Sequence, residues 1–135
     1  MDYIYFNKNP YNKHVGDCVY RAIAYFFNEP WKNSVMRAVR NAIVDGCVNF
    51  NYTTNIVSLM EKNGYKRIKV HRKGLTVRDF GEFTKKGETY MVHIVKPRHM
   101  TIIDDCDLYD IWDCRDCVMD YYFKKTKYNE ETTAD

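Results

Sequence analysis

The sequence predicts an α+β fold, with helices of the first half packed on an antiparallel sheet formed by the second half. Three observations predict it. Apolar residues recur at helical spacing through residues 19 to 63, and from residue 88 the pattern changes to short β-rich runs joined by turns. The chain has 135 residues, of which 45% are hydrophobic, enough to build one domain around one core.

Taken in order, YIYF (3–6) reads as a short strand and the Asn-rich stretch 7–16 as a loop. Asp17 is placed to cap a helix whose stripe is Val19, Ala22, Ile23, Phe26 and Phe27. Asn28-Glu29-Pro30 breaks it. A second helix presents Trp31, Val35, Ala38, Val39, Ala42 and Ile43 on one face, with Gly46 just past its end. Residues 53–63 make a third helix, stopped by Gly64. YKRIKV (65–70) alternates like a strand, and Thr76 with Asp79 resembles a capping box opening a short helix. ETYMVHIV (88–95), HMTIID (99–104) and DLYDIW (107–112) are three strands of a meander, and CVMDYYF (117–123) is the last apolar run. The predicted organisation is one domain over 1–123 and a polar, fraying end over 124–135.

Composition narrows the function classes. The net charge is +3 and the pI about 8.5, too weak a balance to argue for nucleic acid. The basic run Lys66–Lys73 reads as a solvated strand edge that blocks edge pairing. No stretch is long enough to span a membrane, and the N-terminus lacks the pattern of a signal peptide. Five cysteines are an odd number, which suits reduced thiols in a cytoplasm (a host's, if the chain is phage-encoded) better than a disulfide framework.

The segment HVGDCVYRAIAYFFN (14–28) carries the chemistry. Cys18 stands at the first turn of a helix, where unpaired N–H groups and the macrodipole favour a thiolate. Those N–H groups also suit a developing oxyanion. A nucleophilic cysteine needs a base. His14 falls in a loop, His71 follows a strand and His93 lies mid-strand, where a structural role fits. His99 opens a strand, from which it can project toward a helix mouth. If 99–104 and 107–112 form a hairpin, His99 comes near Asp110 or Asp113, either of which can orient an imidazole.

The run Asn12-Lys13-His14-Val15-Gly16-Asp17-Cys18-Val19-Tyr20-Arg21-Ala22-Ile23 resembles the papain-like cysteine peptidases, particularly short C39-like and phage or bacterial forms. The resemblance spans roughly residues 7–122 and implies a papain-like domain. In the family the nucleophile opens the central helix, and an amide side chain, usually Gln, lies six residues earlier at the oxyanion hole. Asn12 stands at that offset. The family's histidine opens a strand, as His99 does, and its Asn or Asp partner precedes a Trp, as in Asp110-Ile111-Trp112. The implied activity is hydrolysis or transfer at an amide or thioester bond of a protein or peptide. Cys18 would attack, His99 move the proton, Asp110 orient it and Asn12 help hold the oxyanion. The alternative is a catalytically silent version that binds a partner or host protein.

No cofactor or metal is expected. Cys114 and Cys117 form a C-x-x-C pair with Cys106 and His99 upstream, but zinc knuckles need a second pair at regular spacing. A thioredoxin-type role lacks the βαβ context.

Overall fold

The computed structural model describes residues 1–47, 49–50 and 53–126. In chain order the elements are β1 (Tyr3–Tyr5), α1 (Cys18–Phe26), α2 (Trp31–Asp45), α3 (Thr53–Lys62), β2 (Ile68–Lys69), α4 (Val77–Gly81), β3 (Glu88–Ile94), β4 (His99–Asp104), β5 (Asp107–Asp110) and β6 (Met119–Thr126). This is a mixed α+β fold with the helices largely preceding an open six-stranded sheet of order β1-β5-β4-β3-β6-β2.

The β3–β4–β5 meander is antiparallel, with Ile94 opposite His99 and Ile103 opposite Leu108. The sheet departs from a purely antiparallel, purely C-terminal one. β1 lies parallel to β5, pairing Tyr3 with Leu108 and Tyr5 with Asp110, and β2 supplies the other edge. Such long-range pairings leave no local signal in the sequence. β6 also extends past residue 123: Lys124, Lys125 and Thr126 pair with β3, while residues 127–135 of the expected polar end lie outside the described residues.

Alternation along the strands divides the core between two faces. Met91, Met100, Ile102 and Phe123 pack against Ile23, Phe26, Ile56 and Met60 from α1 and α3. Tyr90, Val92, Ile94, Ile103 and Leu108 pack on the other side against Leu75, Val77, Phe80 and Cys114. α4 begins as its sequence predicts, with the Thr76 hydroxyl accepting from the Asp79 N–H at 3.1 Å.

α2 keeps its predicted span and its Gly46 cap, which takes the left-handed conformation at φ 69°. Its buried stripe is rotated from the expected one. Ser34, Ala38, Asn41 and Ala42 face inward, whereas Ile43 is 71% exposed. Small and polar residues let the helix approach its neighbours closely, and their polar atoms find partners there. Ser34 donates to the Tyr20 carbonyl at 2.8 Å, and Asn41 donates to Asn55 Oδ1 at 2.8 Å. Buried Asn55 in turn donates to the carbonyls of Ala38 and Phe50. Replacing Asn55 with Ala leaves these groups without that partner, and a stability loss of about 2–3 kcal/mol is expected from urea unfolding midpoints.

Candidate active site

α1 starts at Cys18, directly after buried Asp17. Asp17 occupies the N-cap position, but its carboxylate does not bond the helix N–H groups. It accepts instead from Arg21 one turn on, from Asn9 Nδ2 at 3.1 Å and from Trp31 Nε1 at 3.0 Å. The first turn is thus anchored from below, and no Asp17 side-chain bond occupies its N–H groups.

His99 opens β4 and Asp110 closes β5, so the hairpin between them brings the two together. The imidazole Nε2 lies 2.6 Å from Asp110 Oδ2, and both side chains are more than nine-tenths buried. Asp110 Oδ1 accepts from the Ile111 N–H at 2.7 Å and faces Arg21 Nη2 at 3.7 Å. The bond to a carboxylate at this distance assigns the Nε2 proton to Asp110. Trp112, whose Nε1 sits 3.1 Å from the same nitrogen, then acts as a cover over the imidazole, with ring centroids 5.0 Å apart. Nδ1 is then the ring nitrogen left for proton exchange.

The charges agree with that assignment. Burial alone works against a charged imidazole, but hydrogen bonds from His99 to Asp110, Cys114 and Cys18 outweigh it and push its pKa up to about 11. Burial likewise pushes the Cys18 thiol up. The contact with the His99 imidazolium, a hydrogen bond from the Met100 backbone and the Arg21 charge reverse this and bring Cys18 below the ordinary thiol range. Both shifts favour the thiolate–imidazolium form of the pair.

Cys114 is a second thiol against the same imidazole. His99, Asp110 and Cys114 form a buried cluster whose ligand-type atoms lie within 4.8 Å of one another, a grouping that resembles a Cys-His-Asp triad. Cys114 Sγ sits 3.7 Å from Asp110 Oδ2. Burial, aided by the Asp110 charge, raises its pKa against the opposing His99 contact, so it stays a protonated thiol. Cys18 is partly exposed and Cys114 is fully buried, so Cys18 is the accessible thiol of the two. Nothing periodic in the sequence marks Cys114, whose only local signal is the C-x-x-C pair. Arg21 was also missed as a site residue; its signal is a charge on the apolar side of α1, four residues after Asp17.

Of the four residues singled out from the sequence, the structure brings Cys18, His99 and Asp110 together. Asn12 lies on an exposed loop with φ 53° and lines neither of the two cavities that Cys18 borders. Asp113 points elsewhere, bound to Arg115 at 2.8 Å, a contact that lowers its pKa. His14 contacts the Tyr5 hydroxyl at 3.1 Å, and His93 sits 2.6 Å from Asp120 Oδ1.

His99, Asp110 and Cys114 are the one set of three metal-type ligands grouped among the described residues. Two ligands of one tetrahedral zinc ion stand about 3.3 Å or more apart. The 2.6 Å imidazole–carboxylate contact is closer than that, so the cluster as arranged fits a hydrogen-bonded triad better than a metal centre.

A cavity of about 180 Å³ opens from Cys18 and His99 between α1, the start of α3 and the sheet. No protein-family model, curated protein or solved structure matches the chain. No helix among the described residues is long and apolar enough to cross a membrane.

Proposed function

We propose that the chain is a papain-like cysteine hydrolase acting on an amide or thioester bond of a protein or peptide. The observation that carries this reading is the His99 imidazole, 2.6 Å from Asp110 and beside Cys18 on the wall of one cavity, with the thiol lowered and the imidazole raised.

The chemistry follows from those positions. Cys18 Sγ attacks the carbonyl carbon, and the oxygen takes up negative charge beside the N–H groups opening α1. The family resemblance would add Asn12, six residues upstream, to that hole, but Asn12 lies outside the lining of both cavities beside Cys18. His99 gives its Nδ1 proton to the leaving amine as the C–N bond breaks, which leaves a thioester on Cys18. Neutral His99 then takes a proton from water, the hydroxide attacks, and the C–S bond breaks. The acid is released and the thiolate–imidazolium pair returns. Asp110 keeps Nε2 protonated throughout.

The alternative is a silent fold that only binds a partner, and the absence of Asn12 from the cavity lining favours it. Alkylation with iodoacetamide at about pH 6, mapped by peptide, separates the two. Cys18 is expected to react first, ahead of Cys47, Cys106, Cys114 and Cys117 by about two orders of magnitude. Equal, slow modification of all five removes the hydrolase reading.

A further inference from the structure

We infer that His93 is a second imidazole of the site, and that it holds the water that resolves the Cys18 thioester. The inference rests on the hydrolase reading above.

Register puts His93 there. It lies directly opposite Met100 on β4 and Tyr121 on β6, so the three side chains share the face that α1 and α3 cover. Met100 is the residue whose backbone bonds the Cys18 sulfur. His93 and His99 line the same cavity of about 180 Å³ with Cys18.

The ring is fixed in position and in tautomer. Its Nδ1 lies 2.6 Å from Asp120 Oδ1, which assigns the Nδ1 proton to that bond. It stacks on Tyr121 with centroids 4.5 Å apart and planes 9° apart. Nε2 keeps its lone pair. That nitrogen has no hydrogen-bond partner among the described residues and is not one of their buried, unpartnered atoms, so it is open to solvent. The imidazole–carboxylate pair of His99 and Asp110 is thus repeated one strand away, with the second nitrogen unoccupied.

The other walls offer a water little. Val19, Ile56 and Met100 are apolar, and Thr53 and Arg98 are engaged with each other at 2.6 Å. A water in this cavity therefore finds its side-chain acceptors in the two imidazoles. One of its O–H groups faces His99 and the other faces His93. The water oxygen bonds the thioester carbon, the first proton passes to neutral His99, and the C–S bond breaks to return the Cys18 thiolate. The second O–H donates to His93 Nε2 and its hydrogen stays with the product acid. His93 fixes the direction of attack without taking the proton. It acts only in the second half of the reaction, because the first half uses no water.

The probe is p-nitrophenyl acetate with the full chain. Cys18 Sγ bonds the acetyl carbon, the ester C–O bond breaks, and nitrophenol leaves with the His99 proton. Nitrophenol release reads acetylation. Loss of the acetyl group from the Cys18 peptide, followed by mass spectrometry once excess ester is removed, reads hydrolysis. His93→Phe keeps a ring on Tyr121 and removes the acceptor. It is expected to leave nitrophenol release within about twofold of wild type and to slow acetyl loss about tenfold. His93→Gln, whose amide oxygen can accept in its place, recovers part of that loss. Hydroxylamine needs no second O–H contact and is expected to remove the acetyl group equally fast from wild type and His93→Phe.

Acetyl loss unchanged in His93→Phe overturns the inference and leaves the hydrolase reading standing. So does an equal slowing of acetylation or of hydroxylamine attack, which marks His93 as a structural support. A wild-type chain not acetylated at Cys18 ahead of its other thiols sinks the hydrolase reading and the inference with it. If His93→Phe does not fold, Asp120→Ala decides, at a side chain 46% exposed. It frees the ring to turn, and acetyl loss is expected to slow about threefold with nitrophenol release unchanged. Equal acetyl loss in that variant and wild type overturns the inference.

Discussion

Replacing His99 with Ala is expected to slow iodoacetamide modification of Cys18 at about pH 6 by roughly 100-fold. The sign follows from the opposing influences on the thiol. Burial pushes Cys18 up, and the His99 contact is foremost among those bringing it down. Without the imidazolium, burial prevails, and an ordinary thiol at about pH 6 is only about 0.3% ionised. The wild-type profile should therefore extend into mildly acidic solution and lose reactivity only as Cys18 itself protonates. Turnover should decline at the alkaline side as His99 loses its proton, toward about 11. Cys114→Ser serves as the control, because both thiols touch the same ring. Cys18 should still react selectively in that variant, measured by the same peptide mapping. If His99→Ala leaves the Cys18 rate unchanged, the imidazole does not activate the thiol.

Replacing Arg21 with Met is expected to cost about 3–5 kcal/mol, read from urea unfolding midpoints. Arg21 is buried between two buried carboxylates, Asp17 at the mouth of α1 and Asp110 at the end of β5. Methionine keeps the apolar stem without the guanidinium, so the effect reports the loss of the cation together with its bond to Asp17. Asp17 retains its bonds from Asn9 and Trp31, and Asp110 retains His99, but both lose a charge that solvent cannot replace. Arg21→Met combined with Asp17→Asn should recover part of the loss, since one stranded charge disappears with the cation. A loss no greater than that of an exposed ion pair, below about 1 kcal/mol, would show that Arg21 is not the electrostatic link between helix and sheet.

The helices and the meander were legible because their signals are local. The stripe through Val19, Ala22, Ile23 and Phe26 needs only α1, and the strands 88–94, 99–104 and 107–110 need only alternation and turns. The Cys18, His99 and Asp110 positions were legible because each sits at an element boundary, where side chains project past the end of a helix or strand. What stayed hidden depends on distant chain. β1 finds its place only beside β5, and the inward face of α2 is set by Asn55 and Tyr20 on its neighbours. Cys114 reaches His99 from a turn no pattern describes.

The placement of β1 has a temporal consequence. Asp110 is flanked by β1 on one side and β4 on the other, with its carbonyl accepting from the Phe6 N–H at 3.0 Å. The sulfur belongs to an early helix, whereas the imidazole and carboxylate arrive more than half a chain later. During synthesis the thiol is therefore made well before the groups that face it in the fold. The three groups come together only when the hairpin closes against the N-terminal strand already made.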